Sequence, residues 1–178
     1  MTLSRDADSG TPARCVPVPL VLFVSRLNTA ASIMAEAILR HLARARLRVA
    51  SAGASGIPCT VNPYAIECLQ AHGIPTTGLH SKAWGEFFGV GKPAVRFLIT
   101  LCEIYAAKAA WPPHTLKTHW ETPDPAYAAG SDVDMKLAFE DAYETLHARI
   151  QQFLSLQFDH LDDPALLREL ARIGERCK

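Results

Sequence analysis

The chain has 178 residues, 49% of them hydrophobic and 20% charged, with 18 basic side chains balancing 18 acidic ones. That composition excludes a wholly disordered chain and leaves no basic excess for phosphate contacts, so nucleic acid is not an expected partner. The length suits one domain with a real core, and no apolar run is long enough to span a bilayer, so no membrane partner is expected either.

The first 17 residues are polar and rich in Ser, Asp, Gly and Pro without periodicity, and are expected to form a disordered tail. They carry no signal-peptide pattern. From Val18 to Val24 the sequence is continuously apolar and includes three β-branched valines, which predicts a strand buried on both faces of a parallel sheet. A polar loop, Ser25 to Thr29, ends it. Beyond the loop Ile33, Met34, Ala37, Ile38 and Leu42 recur at helical spacing and predict an amphipathic helix.

Leu47 to Ser51 predicts a short second strand. Asn62 and Pro63 form a cap and first-turn pair for a second helix that stops at Gly73, with Ile66 and Leu69 facing the core. Val95 to Leu101 is a third buried-strand candidate, followed by Cys102. A long helix is expected from Asp132 to Leu154, its apolar stripe made by Met135, Phe139, Ala142, Leu146, Ile150 and Phe153. Alternating strands and helices imply an α/β fold of three layers, a central parallel sheet with helices on both faces. Its ligand site would lie at the carboxyl ends of the strands, where Ser25 to Thr29 and Cys102 fall. Asp163-Pro164 then begins a last short helix, to Ile173, whose leucines need a groove or a partner. The expected organisation is therefore a tail over 1–17, a domain over 18–156 and a helical extension over 157–178.

The segment VLFVSRLNTAASIMAEAILRHL, Val21 to Leu42, resembles the first strand, phosphate loop and first helix of the low-molecular-weight tyrosine phosphatase and thioredoxin-coupled arsenate reductase superfamily. The likeness continues through Ser51-Ala52-Gly53, VNPYAIE at Val61 to Glu67, Gly73-Ile74, Ser81-Lys82, ITLC at Ile99 to Cys102 and PDPA at Pro123 to Ala126. It spans about Val18 to Leu154 and implies the phosphotyrosine protein phosphatase I-like fold.

Members of that superfamily carry a C-x5-R-S loop in which a thiolate attacks phosphorus or arsenic and an arginine clamps the oxyanion. Here the corresponding loop is Ser25, Arg26, Leu27, Asn28, Thr29, Ala30, Ala31 and Ser32. Ser25 stands at the nucleophile position and Ala31 at the arginine position. A serine hydroxyl needs an adjacent general base where a cysteine thiolate does not. The lost arginine would have supplied charge-assisted hydrogen bonds of about 1.5–3 kcal/mol each. Leu27 replaces the glycine usual before the asparagine, and a left-handed backbone there would be strained.

Arg26 is read as an exposed loop arginine in preference to a replacement clamp. Asp124 matches the phosphatases' general acid, or is an ordinary Asp-Pro turn residue. Cys102 matches one cysteine of the arsenate reductases' relay, while the expected partner position near Ala109 holds none; a small apolar filler is the preferred reading. Asn28, Glu36 and Ser51 resemble a structural potassium site of some relatives, with Lys82 where those relatives supply a carboxylate, so its ammonium either replaces the ion or is simply solvated.

Five cysteines without zinc spacing suit reduced thiols in the cytoplasm. The seven histidines show neither H-x-x-x-H nor H-E-x-x-H, so neither metal nor cofactor is expected. The sequence thus reads as a pseudoenzyme that binds a protein or a small anionic ligand. Its rivals are an enzyme of altered chemistry using Ser25, Arg26 and Asp124 or Cys102, and a structural or assembly subunit. Trp84, Trp111, Trp120, Phe87 and Phe88 fall in loops that would surround the site, where they either close a pocket or cap the core; packing is the preferred reading.

Overall fold

The computed structural model describes residues 18–57, 59–102, 110–158 and 160–175. The predicted tail and the Ala109 position lie outside them. Four strands, β1 (Leu20–Ser25), β2 (Arg48–Gly53), β3 (Val95–Thr100) and β4 (Leu116–His119), form one sheet in the order β2-β1-β3-β4. Every pairing is parallel. β1 is central and buried along its whole length, the physical reason for its unbroken apolar run.

Side chains alternate across the sheet. Val21, Phe23, Phe97 and Ile99 enter one core with four helices: α1 (Ala31–Ala43), α2 (Pro63–Ala71), α3 (Asp132–Leu154) and α4 (Asp163–Glu175). Leu20, Leu22, Val24, Ala50 and Ala52 enter a second, smaller core closed by Trp111, Phe87, Phe88 and the short 3-10 helix Trp84–Glu86. The three-layer α/β arrangement is as expected. On the second face, the described helical element is that single 3-10 turn.

The helix boundaries follow their caps. Asn62 Oδ1 accepts from Tyr64 N at 2.9 Å with Pro63 in the first turn, and Ser131 and Asp134 close a capping box at the start of α3. On α2 Leu69 is buried as expected, while Ile66 is only half-buried and Ala65 takes the inward position in its place. At α4 the cap is Asp162, whose Oδ1 accepts from Ala165 N at 2.8 Å; Asp163 lies within the first turn and pairs with Arg96. The four residues of β4 were not anticipated, since Leu116 alone among them is fully buried.

α4 lies against β4 and α3. Leu166, Leu170 and Ile173 share the core of α1 to α3, and Trp120 Nε1 donates to Leu170 O at 3.0 Å. The buried Arg149 donates from Nη2 to Gly174 O at 3.0 Å, placing a cation at the carbonyl end of α4. Gly174 lies so close to β4 that a Cβ there would sit 2.4 Å from His119 O. Among the described residues no helix is long and apolar enough to cross a membrane.

Candidate functional site

β1 delivers Ser25 to the carboxyl edge of the sheet, and α1 starts six residues later, so the loop between them is pinned at both ends. Ser25 is 2% exposed. Its Oγ lies 2.7 Å from Ser32 Oγ and accepts from Asn28 N at 3.2 Å. Among the described residues no imidazole or carboxylate hydrogen-bonds this hydroxyl. Ala31, 1% exposed, offers no side-chain donor.

Asn28 organises the loop. Its φ of 58° is left-handed, which asparagine tolerates better than most residues. Leu27 has no positive φ, so the exchange of glycine for leucine does not by itself strain the backbone. Asn28 Nδ2 donates to Ser32 Oγ at 2.9 Å and to Ser51 Oγ at 2.7 Å, and its Oδ1 accepts from Lys82 N at 2.8 Å. One fully buried side chain thereby links the loop, α1, β2 and the Ser81-Lys82 segment. Gly53 permits the contact between β2 and the loop, because a Cβ there would lie 3.0 Å from the Leu27 carbonyl carbon.

The network continues to a buried ion pair. Ser51 Oγ donates to Glu36 Oε2 at 2.5 Å, and Lys82 Nζ donates to the same oxygen at 3.1 Å and to His80 O at 2.8 Å. Lys82 is 8% exposed and Glu36 4%, so this lysine is not a solvated one. Asn28, Glu36, Ser51 and Lys82 are brought together in one hydrogen-bonded chain. Two participants were missed. Arg40 Nη1 lies 3.5 Å from Glu36 Oε1, a pairing signalled by the helical i,i+4 spacing. Ser81 Oγ donates to Leu27 O at 3.2 Å and accepts from Cys59 N at 3.0 Å, for which the sequence carries no local signal.

At the mouth of the loop stand Arg26, Cys102 and Asp124. Arg26 is exposed. Half-buried Cys102 has its thiol pushed up mainly by burial, against the lowering effects of the Arg26 charge and the Arg26 backbone N–H. Such a thiol is predominantly protonated at neutral pH, unlike a poised nucleophile. Asp124 is likewise raised, chiefly by burial, while hydrogen bonds from Ala126 N–H and Ala31 N–H pull it back. The Ala31 N–H belongs to the first turn of α1, so the Asp124 carboxyl feels the positive end of that helix. Asp124 also caps the 3-10 turn Pro125–Tyr127, accepting from Ala126 N at 3.2 Å.

The aromatic residues pack as expected. Trp84, Phe88 and Trp111 form a cluster with ring centroids 5.1 to 6.2 Å apart. Trp120 is fully buried between Phe23 and Phe153.

The sequence model of the low molecular weight phosphotyrosine protein phosphatase family matches residues 20–165. No curated protein matches the sequence. Among solved structures, an arsenate reductase in a phosphate-binding state is similar at 23% identity and TM-score 0.59, over 77% of this chain and 97% of that one. The tyrosine phosphatase AmsI of Erwinia amylovora is similar at 16% identity and TM-score 0.61, over 79% and 94%. A cysteine-to-serine mutant of the arginine phosphatase YwlE, carrying a phosphorylated active-site serine, is similar at 22% identity and TM-score 0.58, over 78% and 98%. At these identities the likeness is one of fold.

Proposed function

Because the chain belongs to the low molecular weight phosphotyrosine protein phosphatase family, we propose that it is a member that has lost turnover and acts by binding a protein or a small anionic ligand. One observation carries this reading: the hydroxyl at the nucleophile position is held by Ser32 Oγ and Asn28 N, with no imidazole or carboxylate among its described hydrogen-bond partners. A serine held in this way lacks the general base it needs to attack phosphorus. The arginine clamp is absent at Ala31, whose buried methyl offers an oxyanion no donor. What persists is the scaffold beneath the loop, from Asn28 through Ser51 and Glu36 to Lys82.

The test is turnover. Hydrolysis of p-nitrophenyl phosphate and thioredoxin-coupled reduction of arsenate are both expected at the no-protein blank, unchanged in Ser25→Ala. Turnover above the blank that disappears in Ser25→Ala would overturn the reading. A pull-down with the purified chain then separates a binding role from an assembly role, by whether the captured partner is displaced by inorganic phosphate.

A second reading is favoured by the phosphorylated serine of the YwlE mutant. Ser25 would accept a phosphoryl group once and then stall. Intact-mass measurement after incubation with an aryl phosphate distinguishes this case, through a single added phosphoryl group that is absent in Ser25→Ala.

A further inference from the structure

Where α2 packs on α3, the two helices bring together Cys68, His72 and Glu140. Cys68 and His72 are one helical turn apart, and the His72 N–H bonds to Cys68 O at 3.2 Å, so the i,i+4 register holds through the end of α2. Glu140 reaches across from α3. Its Oε1 lies 2.6 Å from His72 Nε2 and its Oε2 lies 3.7 Å from Cys68 Sγ. All three donor atoms fall within 4.8 Å of one another.

We propose that Cys68, His72 and Glu140 form a binding site for a divalent transition-metal ion of the Zn2+ class, which ties α2 to α3 and leaves one coordination position open. This goes beyond the proposed function and does not depend on it.

The donor set is the first argument. Once Cys68 releases to solvent the thiol proton that it now donates to Glu140, the thiolate, imidazole and carboxylate together suit a borderline-soft ion and are poorly matched to Mg2+ or Ca2+, which prefer oxygen. Spacing is the second. With Zn–S, Zn–N and Zn–O bonds of ordinary length, neighbouring donors around a tetrahedral ion lie about 3.4–3.6 Å apart. The sulfur-to-carboxylate distance of 3.7 Å is already close to that value. The histidine-to-carboxylate distance of 2.6 Å is that of a hydrogen bond, and an ion would replace the bonding proton with the pair opening by about 0.8 Å. Both side chains have room to do so, being 32% and 40% exposed.

Orientation is the third argument. The His72 ring stacks on Tyr143 with centroids 3.7 Å apart and planes 11° from parallel, so the imidazole is held in place. Beside Cys68 and Glu140 is a cavity of about 310 Å³ that Tyr64, Glu67 and Lys136 also line. Water or a ligand atom entering from it can fill the fourth position. Spacing between histidines could not reveal this site, because its helical pair is cysteine with histidine and its third donor comes from another helix.

The experiment uses the full chain, reduced and freed of metal by dialysis against a chelator, then titrated with Co2+ and with Zn2+. Expected are one Zn2+ bound per chain by calorimetry and a thiolate-to-Co2+ charge-transfer band that Zn2+ abolishes. The band should survive in Cys59→Ser, vanish in Cys68→Ser, and need at least about tenfold more Co2+ in Glu140→Gln. Zn2+ should also protect Cys68 from alkylation in the unmutated chain, read by peptide mass spectrometry, which decides the matter even if a variant fails to fold. Absence of both the band and the protection at millimolar metal overturns the proposal. So does a band that persists in Cys68→Ser or disappears in Cys59→Ser.

Discussion

The ammonium of Lys82 lies 3.1 Å from Glu36 Oε2, and both side chains are almost wholly removed from water. The ion pair sits directly beneath the loop, because Ser51 donates to the same carboxylate oxygen and Asn28 donates to Ser51. The positive charge beside Glu36 at this point is thus a side chain of the protein itself.

Removing that charge should therefore be costly. Lys82→Met keeps the stem but leaves Glu36 with Arg40 as its remaining cationic partner, at 3.5 Å. A loss of about 3 kcal/mol is expected in urea unfolding, at the lower end for a broken buried pair because Arg40 persists. Lys82→Ala instead vacates space for an ion. Its melting temperature should rise with added KCl but not with tetramethylammonium chloride, whereas the unmutated chain should respond equally to both.

Restoring chemistry requires both lost side chains. Since Asn28 carries the left-handed backbone and Leu27 does not, the loop needs no glycine at Leu27. Ser25→Cys alone should stay near the blank with p-nitrophenyl phosphate. Adding Ala31→Arg should raise turnover by about 10²-fold, the usual scale for one transition-state donor, and Leu27→Gly should add nothing further. A double variant that becomes active only with Leu27→Gly would show that the leucine reshapes the loop.

Asp124 makes a prediction about pH. Burial raises its carboxyl above the ordinary value of 3.8. The folded state therefore holds the proton more tightly than the unfolded one, so the ionised group lowers stability. That cost is absent below the unfolded pKa and is fully present once pH exceeds the raised folded value. Asp124→Asn keeps an oxygen for the Ala31 and Ala126 N–H groups without the charge. Thermal melts from about pH 3 to about pH 7 should show the variant gaining on the unmutated chain as pH rises through the carboxylate range. An unchanged difference across that range would mean that the carboxylate is not held in a desolvated position.

Gly174→Ala tests the seat of α4. The added methyl would meet His119 O at 2.4 Å and Trp120 Cδ1 at 3.0 Å, so the helix must move off β4. Overpacking of this kind costs about 1–3 kcal/mol in urea unfolding. Gly85→Ala is the control, since nothing lies within 4 Å of the added atom and its backbone is not left-handed; a change within about 0.5 kcal/mol is expected there.

Much of this was legible in the sequence where the signal is local. β1 declares itself because a strand buried on both faces must be apolar at every position, and α3 because its stripe repeats over 23 residues. β4 escapes notice as a four-residue edge strand with one fully buried side chain. The Asn28, Glu36, Ser51 and Lys82 set was legible through resemblance. By contrast, the meeting of Glu140 with Cys68 and His72 joins segments far apart in sequence, so no spacing rule anticipates it.

The bond from Trp120 Nε1 to Leu170 O spans fifty residues, and α4 is the element that shields the buried indole on that side of β4. Synthesis is directional, so the edge strand and its tryptophan leave the ribosome before the helix that covers them exists. At ordinary translation rates those fifty residues take about 2.5–10 s to appear, far longer than a helix or a hairpin needs to form. Throughout that interval an unpaired strand edge and a large apolar surface are open to other nascent chains and to holdase chaperones. The amount of this protein recovered from a cell should accordingly depend on how quickly the segment from Glu121 to Gly174 is translated, even when no folded-state contact has been altered.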